Sequence, residues 1–73
     1  MAKRPLDVLH GALNQRIRVE IRGGREYRGT LDGYDHPHLN LVMKDAEEVA
    51  DGNTVQRYVN LVVRGDAIVY INP

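Results

Sequence analysis

Two short clusters hold most of the residues in this chain that could do chemistry: Asp35-His36-Pro37-His38-Leu39-Asn40 and Arg64-Gly65-Asp66. Two imidazoles one residue apart, His36 and His38, can reach one metal ion, with Asp35 or Asp66 as a third ligand. No further ligand stands at a clear metal-site spacing, so no metal is expected. Asn40 can bond its own backbone in a turn, and Arg64 can pair with Asp66. Arg64-Gly65-Asp66 also spells a cell-adhesion tripeptide, which has no meaning in a cytosolic chain. Catalysis finds little to work with: no cysteine or activated serine, no phosphate-cradling glycine loop and no carboxylate pair in a recognisable setting. The reading is non-enzymatic, and no cofactor is expected.

The chain has 73 residues, one small domain over 1–73. A chain of this size buries only about 60% of the surface its unfolded form exposes. Small domains compensate with disulfides, a structural metal or oligomerisation. Cysteine is absent and only three histidines are present, His10, His36 and His38, so association with other chains remains. No apolar run approaches the roughly 20 residues that span a membrane, and the N-terminus has no signal-peptide core. The chain reads as soluble and cytoplasmic. Net charge is zero, with 10 Lys+Arg against 10 Asp+Glu, which argues against a simple basic nucleic-acid binder. The charges are unevenly spread, however. Residues 1–30 carry seven basic and three acidic residues, and residues 31–73 the reverse, so +4 is set against −4. One basic face and one acidic face are expected.

The elements that must position the two clusters follow from periodicity. Pro5 suits a first helical position, Asp7 complements the positive end of the dipole, and Leu6, Leu9 and Leu13 recur on one stripe. A helix is expected over about 5–13, with Asn14 as its exit. The period then changes to two. Arg16-Ile17-Arg18-Val19-Glu20-Ile21-Arg22 alternates charged and apolar residues, a half-buried strand. Gly23-Gly24 makes a turn, and Arg25 to Asp35 reads as a second strand with Tyr27 and Leu31 on one face. Gly29 and Gly33 lie within it as bend residues. A third strand starts at Leu39 to Met43 and can continue through Asp45-Ala46-Glu47-Glu48. The acidic run from Asp45 to Asp51 is expected as a solvated strand end and hairpin, turning at Asp51-Gly52-Asn53. Thr54 to Arg64 is a long fourth strand with Val59, Leu61 and Val63 on one face, and Ala67 to Ile71 a fifth. The expected core is Tyr27, Leu31, Ile17, Val19, Ile21, Leu61 and Val63. The fold class is mainly β: an N-terminal helix plus a strongly bent five-stranded antiparallel sheet forming a small open barrel.

Ile68-Val69-Tyr70-Ile71 carries no charge, a poor way to protect a free edge. Pairing it with the corresponding edge of another copy is a heterologous contact, which closes into a ring when the rotation allows. A peptide-binding barrel of SH3-like type is the rival reading. It needs an aromatic-lined groove, and the chain has four tyrosines but no Trp or Phe.

Taken together, the chain resembles the archaeal branch of the Sm/LSm family. An Sm1-like block, over about 16–50, contains Gly24-Arg25-Glu26-Tyr27-Arg28-Gly29, Gly33-Tyr34-Asp35 and Leu39-Asn40-Leu41-Val42-Met43. An Sm2-like block, over about 54–72, contains Val63-Arg64-Gly65-Asp66 and Ile68-Val69-Tyr70-Ile71. The resemblance implies the Sm fold, with strand four of one subunit paired to strand five of the next. It implies a ring, with a homoheptamer favoured over a hexamer, that binds single-stranded, uridine-rich RNA at the inner pore rim and acts with RNA-processing proteins. It also implies roles for residues. His38 matches the loop histidine, Asn40 the base-reading asparagine, Arg64 the stacking arginine and Asp66 the residue that supports the site. Asp35 matches the residue that orients Asn40. The family pattern is Asp-x-His-x-Asn, and here the interval from Asp35 to Asn40 is one residue longer, with His36 or Pro37 as the extra one. By the same resemblance Arg4, His10 and Tyr34 are candidates for a secondary RNA-binding surface near the helix.

The implied chemistry is coherent. An imidazole and a guanidinium plane can sandwich a base, worth on the order of 1–3 kcal/mol per base. Stacking does not choose among bases; an asparagine amide can match uracil's imide N–H and carbonyl together. Several identical pockets around a pore gain avidity on one strand.

Overall fold

The computed structural model describes residues 4–73. A helix, α1 (Pro5–Gly11), precedes five strands: β1 (Arg16–Ile21), β2 (Glu26–Tyr34), β3 (Leu41–Ala50), β4 (Asn53–Val63) and β5 (Ile68–Asn72). A single 3-10 turn, Gly65–Ala67, joins β4 to β5. α1 ends two residues before the expected Leu13. Gly11 is its last residue, and Asn14 turns the chain out with φ 65°, a conformation that asparagine tolerates better than most residues.

All pairings are antiparallel, and the strand order is β4-β3-β2-β1-β5. β4 and β5 follow one another in the chain yet lie at opposite edges. In a flat sheet four strand spacings would part those edges by roughly 19 Å. The five Cα steps from Val63 to Ile68 reach at most about 18 Å when fully extended, and winding them into a 3-10 turn shortens that reach. The sheet therefore curls, bringing the end of β4 to the start of β5.

The curl has visible causes. The partners along β2 and β3 shift register between Arg28 and Thr30 and again between Leu31 and Gly33, which places an irregularity beside each in-strand glycine. A Cβ on Gly29 would sit 3.0 Å from both Ala46 Cα and the Lys44 carbonyl oxygen. The β3 backbone thus crosses close over Gly29, at the point where Asp45 takes φ 49°. Arg16 Nη1 holds this kink by donating to the Asp45 carbonyl at 2.9 Å. The kink also switches which residues face inward. Before it Leu41 and Met43 are buried, and after it Ala46 and Val49 are. β4 switches in step, so Leu61 and Val63 face the interior while Val59, expected beside them, is 76% exposed.

Leu9 and Ala12 close one end of a core made by Ile17, Val19, Tyr27, Leu31, Leu41, Met43, Ala46 and Val63. Of the expected core residues, Ile21 and Leu61 are only half-buried and pack against it. The acidic run differs in part from expectation. It stays in β3 as far as Ala50, with Ala46 and Val49 buried, and Glu48 accepts a hydrogen bond from the Tyr58 hydroxyl at 3.1 Å. Apart from Val8, every exposed large apolar residue among those described lies on an edge strand: Val55, Val59 and Val62 on β4, Val69 and Tyr70 on β5. No helix among the described residues is long and apolar enough to cross a membrane.

Candidate functional site

The two clusters noted in the sequence meet. The β2–β3 loop carries Asp35 to Asn40, and the 3-10 turn after β4 carries Gly65 and Asp66. His38, Asn40, Arg64 and Asp66 line one open cleft of about 240 Å³ together with Val62. His38, Arg64 and Asp66 lie on its rim, the first two exposed and the last largely so, and Asn40 is half-buried. The cleft thus has a polar, solvent-facing rim and a fixed amide at its floor.

That amide is fixed from two sides. Asn40 Nδ2 donates to Asp35 Oδ2 at 2.9 Å, and Asn40 Oδ1 accepts the Gly65 N–H at 2.9 Å. One donor goes to an oxygen and one acceptor to an N–H, so exchanging the amide's oxygen and nitrogen would break both bonds. One N–H and one lone pair remain for a ligand. Asp35 also accepts the Asn40 backbone N–H through Oδ1 at 3.0 Å, and its own N–H donates to the Asn40 carbonyl at 3.0 Å. The Asn40 backbone and side-chain donors hold the Asp35 carboxyl below its ordinary value, outweighing the opposing effect of desolvation, with a lesser contribution from the His38 imidazole nearby.

The longer loop is accommodated without opening this network. Asp35 and Asn40 stay tied across it, and the Leu39 N–H donates to the Asp35 carbonyl at 3.2 Å. Leu39 takes φ 57°, so the surplus chain at His36-Pro37-His38 bulges into solvent, where all three residues are exposed. Asp35 does not line the cleft; it braces Asn40 from behind. His36 does not line it either. Among the described residues no group of three or more His, Cys, Asp or Glu side chains is arranged to hold a metal.

Two further contributors are not marked as site residues by the sequence. Val62, 65% exposed, forms an apolar wall of the cleft. Gly65 supplies an N–H and, more sharply, empty space: a Cβ there would overlap the His38 carbonyl oxygen. Its place within Arg64-Gly65-Asp66 is the only signal, and that signal points to a turn. Arg64 Nη2 donates to Asp66 Oδ2 at 2.8 Å, as the turn reading expects. Both groups are largely exposed, so the pair orients the guanidinium more than it stabilises the fold.

The candidates for a second surface lie near α1. His10 Nδ1 and the Tyr34 hydroxyl are 3.1 Å apart, with the two rings edge to face. Arg4 stands at the N-cap of α1, where its carbonyl accepts from Asp7 and Val8. Its side chain makes no hydrogen bond with that pair among the described residues.

The chain is similar to known proteins in sequence and fold. The family model described as the LSM domain matches residues 7–73. An snRNP Sm-like protein of Archaeoglobus fulgidus is 51% identical over 73 residues, covering 100% of this chain and 94% of its own. A Pyrococcus abyssi Sm protein, solved in complex with a uridine heptamer, superposes with a TM-score of 0.93 at 48% identity, covering 97% of this chain and 99% of its own. A heptameric archaeal Sm protein superposes with a TM-score of 0.84 at 37% identity, covering 92% of this chain and 96% of its own. With its whole sheet and both loop clusters inside that match, the chain belongs to the LSM-domain family of Sm-like proteins.

Proposed function

We propose that this chain is one subunit of a homo-oligomeric ring, a heptamer, that binds single-stranded uridine-rich RNA at the inner rim of its pore. The observation that carries the reading is the locked Asn40 amide on the floor of a cleft rimmed by His38 and Arg64. The imidazole and the guanidinium plane stack on a base. The remaining N–H and lone pair of Asn40 meet a carbonyl oxygen and the imide N–H of uracil. A free amide could rotate to suit a base with the opposite order of donor and acceptor; this one cannot, because Asp35 and Gly65 hold it. Asp66 keeps Arg64 over the cleft. Similarity to the uridine-bound Pyrococcus abyssi protein supports the ligand, and similarity to the heptameric archaeal Sm protein supports the ring.

Ring closure follows from the edges. β4 and β5 end the sheet and carry nearly all the exposed large apolar side chains among the described residues. Joining β4 of one copy to β5 of the next covers them and satisfies the unpaired backbone groups of both edges. His10, Tyr34 and Arg4 form a secondary contact for RNA near α1. The ring works as a non-enzymatic RNA-binding module in RNA processing, in the cytoplasm, with RNA-processing proteins as partners.

The test combines mass and binding. Light scattering should give about seven times the 8.3 kDa subunit, and polarisation titrations should show oligouridine bound more tightly than oligoadenosine. A lone 8.3 kDa subunit, or one indifferent to uridine, overturns the reading.

A further inference from the structure

Away from the cleft, the most distinctive charge feature is the outer face of β1. Ile17 and Val19 turn inward, so Arg16, Arg18, Glu20 and the following Arg22 turn outward. The described cations from Arg25 onward each reach a carboxylate: Arg25 to Glu48, Arg28 to Glu26, Lys44 to Asp32, Arg57 to Glu47 and Arg64 to Asp66. Arg16, Arg18 and Arg22 reach none among the described residues. Asp7 lines a shallow hollow with Arg16 without an ion pair between them, and the acids of β1 and β2 on this face are engaged or opposed. Glu26 holds Arg28, Asp32 holds Lys44, and Glu20 lies directly across from Glu26.

The register sharpens the point. Arg18 stands directly opposite Arg28 on β2, and like charges in that position repel. Arg28 is relieved by Glu26, while the other flank of Arg18 meets only Asn72. Arg16 spends one donor on the Asp45 carbonyl, out of the five a guanidinium carries. Alternate strand residues stand about 7 Å apart, so the row offers its donors at intervals along one line. β1 lies inside the sheet, and edge pairing of β4 with β5 leaves its outer face uncovered. The Arg22 N–H donates to the Ala67 carbonyl at 2.9 Å, so the row starts beside the turn that carries Asp66.

We propose that Arg16, Arg18 and Arg22 form a further contact for RNA, apart from the cleft and from the surface near α1, holding the phosphodiester backbone of nucleotides that extend beyond the uridine cleft. The inference rests on the RNA reading of the cleft. Guanidinium groups suit phosphate oxygens. The row itself carries only guanidinium groups, so it follows backbone charge, while Tyr70 stands across from Glu20 on the neighbouring edge strand.

The experiment compares two probes on the assembled ring at several salt concentrations: a uridine heptamer, and a longer single strand carrying that heptamer between unstructured flanks. The parent should hold the longer strand more tightly. Arg18→Gln with Arg22→Gln should weaken the longer strand about 10-fold and flatten its salt dependence by about 0.7 in log–log slope for each phosphate no longer neutralised. Heptamer binding should not change. Arg16→Gln, which also frees the Asp45 carbonyl, serves as the added third substitution once light scattering shows an intact ring. Equal affinity and slope of parent and variant on the longer strand overturn the proposal. A parent that ignores the heptamer overturns the cleft reading instead, and the longer strand still decides the row. Loss of binding to anionic lipid vesicles with RNA binding intact would make the partner a membrane surface and the proposal wrong.

Discussion

The Gly65 N–H donates to Asn40 Oδ1 at 2.9 Å, a bond across 25 positions of sequence that joins the β2–β3 loop to the turn after β4. It is made possible by what Gly65 lacks, since a side chain there would overlap the His38 backbone. The residue is needed for space; its φ is not in the left-handed range.

Gly65→Ala should therefore damage the cleft more than its one methyl group suggests. Either the loop or the turn must withdraw, and the amide loses its N–H partner. Overpacking of this kind costs about 1–3 kcal/mol. Oligouridine affinity should fall at least about tenfold, the equivalent of about 1.4 kcal/mol, as read by polarisation titration.

Asn40→Ala removes the amide proposed to read the base and leaves both flanking strands untouched. Oligouridine should bind about tenfold or more weakly, from loss of hydrogen bonds to the base, while the ring's mass by light scattering stays the same. Equal affinity of mutant and parent would show that the pocket is misassigned.

Asp35 gives a pH prediction with a definite sign. Its folded pKa lies below its unfolded value because the carboxylate accepts two hydrogen bonds from Asn40. Its contribution is complete above the unfolded value, near pH 4 for an aspartate, and is lost as pH falls through the lower folded value. Asp35→Ala should lower stability at neutral pH and flatten the acid limb of the unfolding curve below about pH 4. Urea melts at a series of pH values check both.

Gly29→Ala tests the curl. The added methyl would press on Ala46 Cα, Ala46 Cβ and the Lys44 carbonyl at 3.0–3.1 Å, against backbone that a side-chain rotation cannot relieve. A loss of about 1–3 kcal/mol is expected in urea melts. Gly33→Ala is the control, since a Cβ there meets nothing within 4 Å.

The long elements are legible because their patterns are local. Alternation in Arg16 to Arg22 marks β1, Gly23-Gly24 and Asp51-Gly52-Asn53 mark two hairpin turns, and both turns carry positive-φ residues as such turns need. The departures from expectation have a common cause. Alternation carried through β4 unbroken puts Val59 in the core, but the kink at Asp45 changes which face points inward halfway along. A period-2 pattern cannot show where a strand folds over. α1 is shorter than its pattern for a similar reason: the leucine stripe runs on to Leu13 after the helical backbone has ended.

The sequence by itself determined the residue types of the site, the succession of the strands and the uncharged fifth strand, since each is written in neighbouring residues. Only the tertiary structure decided that the lengthened loop still ties Asp35 to Asn40, that Gly65 completes the lock, and that the arginines of β1 meet no carboxylate among the described residues. Those facts depend on which segments a curled sheet brings together, and proximity between residues far apart in the chain leaves no local period to read.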